Sequence, residues 1–332
     1  VKSALPASHS HPFSAQTRGP LPRPLSLSTI SLFWVTMATP IDNPPPAEAT
    51  VDYIASEDLK PFPEPNTQIQ GLIQGLESKD WIKLCESLND TRRFALYHSS
   101  LLLPLLEQVM LVLVKAMKNP RSALCKTSIM AASDIFTVYC DKLLDPTSSG
   151  VFDQLLLQLL LKASQDKRFV CEEADKALKS MVQSITPLSL LHKLQACVNH
   201  TNPRVRAKAA VSISNCVSRM VDTFLLSLTC YVTLAEIITF YIIMGMLTID
   251  VLQSQGLEEL EEFGLVPLVQ VAANLLNDRL PEAREAARSI TMSVYESFTE
   301  KEDQKQESWQ NFCEANLPAL HGQSIIKLTM SH

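Results

Sequence analysis

The chain has 332 residues, of which 46% are hydrophobic and only 8 are glycine. It can therefore bury a large core, but it has few glycines for a sheet-rich enzyme that needs many special turns. The formal net charge of -6, with a pI near 5.7, excludes a nucleic-acid binder that acts through its overall charge, so any basic surface must be local.

The first 65 residues differ in composition from the rest of the chain. They hold 12 of the 20 prolines and show almost no helical periodicity, so residues 1–65 are predicted to be a disordered or extended proline-rich arm. Residues 1–36 contain no acidic residue, as in an organellar transit peptide. Because Met37 opens a segment typical of a protein start, residues 1–36 are alternatively expected to be translated leader sequence.

Helix follows helix through residues 66–220. An apolar residue followed four positions later by a small one recurs, and such a pair lies on one helix face, where the small member lets a neighbouring helix approach closely. These frames begin 46, 35 and 78 positions apart, close to one or two periods of HEAT and armadillo helix pairs. The frames are Leu124/Ser128, Val170/Ala174, Val205/Ala209 and Ala283/Ala287.

The periodicity predicts an all-α fold, a HEAT/ARM-like α-solenoid, of the kind that binds partners along a continuous surface. Residues 256–314 are predicted to form its last repeat and a C-terminal helix, and residues 315–332 a C-terminal tail. Short polar connectors should form the turn inside each helix pair and line up along one edge of the stack. They are Lys118-Asn119-Pro120-Arg121, residues 165–168, residues 200–204 and residues 277–281, with prolines at first-turn positions that tolerate them.

Residues 221–255 interrupt this rhythm. Between residues 223 and 249 the only acidic or basic side chain is Glu236, so length and hydropathy fit a membrane span. A span, however, would separate repeats that need each other's faces. Without this segment the last two frames would begin 43 positions apart, an ordinary period, and we therefore predict an in-frame insertion such as a retained intron. A genuine span and a buried extra helix are the alternatives.

The sequence carries no pattern that predicts catalysis. It lacks a Gly-rich phosphate loop, an HExxH motif, a nucleophile elbow and an acid pair with a supporting histidine. The 8 cysteines form no CxxC pair and the 7 histidines show no zinc spacing. We therefore expect no enzyme activity, no catalytic residue, no metal and no cofactor.

Short motifs along the predicted helical repeats form a set. They are Ser78-Lys79-Asp80-Trp81, Lys118-Asn119-Pro120-Arg121-Ser122-Ala123, Asp134-Ile135-Phe136, Asn202-Pro203-Arg204-Val205-Arg206 and residues 280–288. This set resembles the TOG domain, particularly that of CLASP-type microtubule-associated proteins, over about residues 67–300 with the interruption at 221–255. The resemblance implies a paddle of HEAT-like pairs that binds tubulin or microtubules through the turns along one edge, in the cytoplasm and on the cytoskeleton.

The resemblance also implies which residues contact tubulin. Matching positions are Trp81 in the first turn, Lys118, Arg121 and Ser122 in the second, Lys167 and Arg168 in the third, Arg204 in the fourth, and Arg279 and Arg284 in the fifth. Leu84 and Cys85 depart from the family, in which this helix often carries a charged residue.

Elementary physics supports an interface role for such residues. An exposed Trp is the kind of anchor that contributes about 2 kcal/mol or more to an interface. An exposed cation contributes only about 0.2–1 kcal/mol, but it raises the encounter rate with an acidic partner. The alternative function is a generic HEAT/ARM adaptor that holds a non-tubulin peptide in its groove. The sequence indicates no nucleic-acid partner, and a membrane only if residues 223–249 span one; it leaves the oligomeric state open.

Overall fold

In the computed structural model, residues 53–144, 150–165, 167–221, 260, 262–299 and 304–331 are described. They belong to one compact unit, Ala49–His332, and they contain helices and turns but no strand. The predicted leader and most of the predicted arm lie outside the described residues. So does the predicted insertion beyond residue 221, with the candidate membrane span at 223–249.

Helices follow one another in pairs joined by short turns, as a helical solenoid requires. The first pairs are α1 (Pro65–Leu76) with α2 (Trp81–Tyr97), and α4 (Leu106–Met117) with α5 (Ser122–Tyr139), after the single turn α3 (Ser99–Leu102). Next come α6 (Val151–Ala163) with α7 (Arg168–Ser184), and α8 (Pro187–Gln195) with α9 (203–221). The last are α10 (Leu265–Leu275) with α11 (Pro281–Thr299), and α12 (Lys305–Asn316) with α13 (Ala319–Met330).

The second helix of each early pair packs on the second helix of the next, α2 on α5 and α5 on α7, while the first helices α4 and α6 pack together in the same way. The predicted apolar/small frames belong to this second layer. Their small members, Ser128, Ala174, Ala209 and Ala287, are all 0% exposed. Since a small side chain between two helices permits close approach, these burials account for the stacking of the layer. The predicted all-α solenoid is confirmed.

A short segment before α1, residues 53–62, lies against α2; we call it the strap. Leu59 and Phe62 are buried, and the Phe62 ring centroid is 4.6 Å from that of Phe94. The hydroxyl of Tyr97 donates a 2.6 Å hydrogen bond to the carbonyl of Leu59. The predicted disordered or extended arm is therefore ordered against the solenoid at its C-terminal end, because isolated apolar residues such as Leu59 and Phe62 give no periodic signal yet find partners on α2.

One buried ion pair joins the strap to two helices. Arg92 of α2 donates from Nε to Oδ2 of Asp134 on α5 at 2.6 Å, and their side chains are 1% and 9% exposed. Arg92 also donates to the carbonyl of Ile54 at 2.7 Å, and the hydroxyl of Ser56 donates to Asp134 Oδ1 at 2.7 Å. A buried charge pair with its remaining hydrogen-bonding groups satisfied holds its partners in one arrangement.

The predicted C-terminal tail is also corrected. Residues 319–330 form α13, which packs against α12. Ile325 is 0% exposed, and the indole of Trp309 donates to the hydroxyl of Thr329 at 3.1 Å. The apolar residues of α13 are not confined to one face, since Leu320 is 78% exposed, so the segment gave no clear helical periodicity.

Among the described residues, one stretch is long and apolar enough to cross a membrane, Ser99–Met117. It comprises α3, a 3-10 turn and α4, and 44% of its most apolar window is buried inside the protein. Partial burial of this kind is also found in core helices, so the stretch is weak evidence for a span.

We expect Ala174→Leu to lower the free energy of unfolding by about 1–3 kcal/mol, because the added atoms enter a fully packed helix contact. Urea denaturation followed by circular dichroism measures the change. Lys179→Leu is the matched control, since it places the same side chain on an exposed position of the same helix. Equal stability of the two variants would contradict the packing argument.

Arg92→Met should cost about 3–5 kcal/mol, because it leaves the carboxylate of Asp134 buried without its partner. The neighbouring Arg93→Met is the control: Arg93 donates to the carbonyl of Lys60 and lies over the Phe62 ring, but its side chain is 26% exposed. It should cost only about 1 kcal/mol. Comparable losses in chemical denaturation would show that the buried pair does not hold the strap.

Candidate protein-binding ridge

The turns inside successive helix pairs lie next to one another along one edge of the stack. We call this edge the ridge; it consists of residues 77–81, 118–122, 164–165 with 167–169, 199–204 and 276–284. Each turn touches the next through named side chains. The ridge is therefore one continuous surface rather than a set of separate loops.

The first three turns are joined by two contacts. The guanidinium carbon of Arg121 lies 5.2 Å from the centroid of the Trp81 ring, within the range of a cation–π interaction. The ammonium of Lys167 donates a 2.8 Å hydrogen bond to the hydroxyl of Ser122. These two contacts bring together residues that are 40 and 45 positions apart in the sequence.

The later turns are joined in the same manner. Arg204 donates from Nη1 to the carbonyl of Ser164 in the third turn at 3.1 Å. Arg206, two residues beyond the fourth turn, donates from Nη2 and Nε to Oδ2 of Asp278 in the fifth turn, at 2.8 and 3.0 Å. The structure therefore brings the predicted site residues of all five turns into a single row.

Four of the five turns share a local motif that does not involve their basic side chains. In each case a side-chain oxygen accepts a hydrogen bond from the backbone N–H two residues later, which fixes the entry of the chain into the second helix. The sequence signal is the repeated Asn-Pro-Arg at 119–121 and 202–204. The pairs are Asp80 with Ile82 (3.0 Å), Asn119 with Arg121 (2.9 Å), Asn202 with Arg204 (3.0 Å) and Asp278 with Leu280 (3.0 Å).

The predicted site residues differ in how they are presented. Trp81 is half-buried and packs against the edge of the core, and Ser122 is half-buried as well. The guanidinium of Arg284 donates to the carbonyls of Asp278 and Arg279, at 2.8 and 3.0 Å, so it braces its own turn. The remaining six are exposed: Lys118, Arg121, Lys167, Arg168, Arg204 and Arg279.

Acidic groups beside the ridge moderate its charge. Arg168, whose side chain is 91% exposed, donates to Glu172 at 2.7 Å, and this hydrogen bond together with the Glu172 charge raises the pKa of the guanidinium. Behind the ridge, the Lys208 ammonium lies 3.0 Å from Asp175 and 3.8 Å from Glu282. Burial alone would lower the pKa of Lys208, but the hydrogen bond to Asp175 and the two carboxylates outweigh it and raise the pKa.

The described residues offer little for metal or thiol chemistry. Within the described ranges, no group of three or more His, Cys, Asp or Glu side chains could hold a metal ion. Burial raises the pKa of the Cys85 and Cys125 thiols, and that of Cys216 to about 12. A neutral thiol is a poor nucleophile and a poor ligand, so these cysteines serve as core residues.

Comparison with known proteins gives relatives that cover part of this chain. No family model matches it. The mouse TOG array regulator of axonemal microtubules protein 1 is 32% identical over 166 residues, which are 50% of this chain and 9% of the relative. The human protein of the same name is 34% identical over 130 residues, 39% of this chain and 7% of the relative. The chain thus spans less than a tenth of the length of these relatives.

Solved structures share the fold. The TOG domain of C. elegans Zyg9 superposes with a TM-score of 0.51 at 15% identity and covers 84% of this chain and 90% of that one. A structure described for TOG–tubulin binding specificity in microtubule dynamics and mitotic spindle formation gives a TM-score of 0.50 at 12% identity, over 82% and 90% of the two chains. These comparisons confirm the predicted likeness to TOG-domain proteins and the HEAT-like solenoid fold.

Replacing both turn asparagines, Asn119→Ala with Asn202→Ala, should lower the free energy of unfolding by about 1 kcal/mol for each lost hydrogen bond. Thermal unfolding measures the loss. The control is Asn274→Ala on an exposed face of α10, where alanine favours the helix and stability should stay equal or rise. A double variant as stable as the control would show that these hydrogen bonds do not hold the turns.

Proposed function

We propose that the chain is a microtubule-associated protein whose ridge binds tubulin, and that it regulates microtubule dynamics or organisation without catalysing a reaction. One observation carries the proposal: exposed cations on successive turns stand in one continuous row that ends at Trp81. The names of the relatives, which are regulators of axonemal microtubules, and the fold shared with TOG domains support the same partner and a cytoskeletal location.

The row suits a partner with an acidic surface. Each exposed cation contributes only about 0.2–1 kcal/mol to binding. The charges of the ridge therefore mainly speed association and orient the partner, and they supply the smaller part of the affinity. Trp81 supplies an apolar ring for burial, and Arg121 above that ring keeps a positive charge next to it. The same role, as a cation that faces the acidic surface of tubulin, is proposed for the other exposed residues of the row: Lys118, Lys167, Arg168, Arg204 and Arg279.

The observations favour the ridge over the groove formed by the second-helix layer, where an adaptor would hold a peptide. The strap already lies along α2 and is hydrogen-bonded to Arg92 and, through Ser56, to Asp134 of α5. Further along the layer, ion pairs join neighbouring helices, from Lys126 to Glu173 at 3.6 Å and from Lys208 to Asp175 at 3.0 Å. A peptide in this groove would have to displace groups that already satisfy one another.

The proposal predicts that Trp81→Ala combined with Arg121→Ala abolishes co-sedimentation with microtubules and weakens binding of free tubulin by about 30-fold or more, since an interface anchor of this kind contributes about 2 kcal/mol or more. Helicity should be unchanged. For the wild-type chain, binding should weaken as salt rises, because exposed charges are screened beyond about 8–10 Å at physiological ionic strength.

The matched control removes one exposed apolar residue and one exposed cation from the opposite edge, Leu103→Ala with Lys142→Ala. That edge holds the connections between pairs, where the hydroxyl of Tyr139 at the end of α5 reaches the carbonyl of Ser99. The control should bind tubulin like the wild type. Unchanged pelleting of the ridge variant would refute ridge binding and return the groove adaptor as the leading hypothesis.

A further inference from the structure

Phe169 stands exposed in the third turn of the ridge. It is the second residue of α7, directly after Lys167 and Arg168, and 43% of its surface is accessible. The exposed large apolar residues in the described part of the chain are Tyr53, Tyr97, Leu103, Leu111, Phe169, Leu320 and Met330. Phe169 is the member of this set that lies within the ridge.

Folding does not account for this exposure. The next residue, Val170, is 1% exposed and faces the neighbouring helix with Ala174, so Phe169 points away from the packed face. Trp81 differs, because it packs against the core and carries the Arg121 guanidinium over its ring. Among the described residues, no aromatic ring or cation is found against Phe169.

We propose that Phe169 is a second aromatic anchor of the ridge, which enters an apolar depression on the tubulin surface while Lys167 and Arg168 pair with acidic groups around that depression. The inference depends on the proposed function and adds a specific contact to it. Tubulin fits this surface, because the ring follows two exposed cations of the same turn, Lys167 and Arg168, which complement an acidic partner. Two anchors at separate turns would also fix the orientation of the partner along the row.

The two kinds of contact have different salt dependence. Burial of an aromatic ring is an apolar term that salt does not screen, whereas the contribution of Lys167 and Arg168 falls as ionic strength rises. Loss of Phe169 should therefore weaken binding by a similar factor at low and high salt. Loss of the two cations should weaken binding at low salt and flatten its salt dependence.

The test compares the affinity of the full chain and of Phe169→Ala for free tubulin at two salt concentrations. We expect Phe169→Ala to bind about 10- to 30-fold more weakly at both, as for an interface anchor, with an unchanged unfolding midpoint. Phe169→Tyr, which keeps the ring, should bind nearly as the wild type does. Leu103→Ala is the matched control, since Leu103 is 42% exposed at the opposite edge, and it should have no effect.

The possible failures are distinguishable. If Trp81→Ala with Arg121→Ala weakens binding while Phe169→Ala binds within about 2-fold of the wild type, the second anchor is refuted and the proposed function stands. A lower unfolding midpoint for Phe169→Ala would assign the ring to folding and also refute the anchor. If the wild-type chain itself fails to bind tubulin, the proposed function falls and the anchor with it.

Discussion

Close approach of the second helices at small side chains is the constraint on which the ridge depends. Ser128, Ala174, Ala209 and Ala287 are all 0% exposed, and helices that meet at such positions lie about 8–10 Å apart. Each intra-pair turn is then one helix spacing from the next, a distance that an extended lysine or arginine side chain can cross. The contacts of Lys167 with Ser122 and of Arg204 with Ser164 are consequences of that spacing.

Some arginines at the turns are exposed on the ridge, whereas others hold the turns in place. Arg206 and Arg284 donate to backbone carbonyls of their own turns, His200 with Thr201 and Asp278 with Arg279, so they hold the loops that present other residues. A row of like charges would repel itself, and two carboxylates lower that repulsion: Glu172 pairs with Arg168 in the row, and Asp278 pairs with Arg206 just beyond it. A chain with a net charge of -6 can therefore carry a local basic edge.

The sequence predicts those features of the fold that repeat along the chain, and it does not predict single contacts between residues that are far apart in the chain. The apolar/small frames predict the solenoid because helix stacking repeats at a fixed spacing, and the basic turns follow from it. The strap and α13 were missed because Phe62 and Trp309 find partners through contacts that no periodicity encodes. Phe169 was missed for a related reason: an apolar residue beside Val170 looks like core until the orientation of α7 is known.

The position of the strap gives the first pair a role beyond presenting Trp81. The strap hydrogen-bonds to both members of the Arg92–Asp134 pair, which joins α2 to α5 across 42 positions of sequence. Trp81 is the first residue of α2, and Arg121 immediately precedes α5. A buried ion pair far from the edge therefore fixes the relative placement of the two side chains that end the row, so the rigidity of the ridge depends on a segment with no helical pattern of its own.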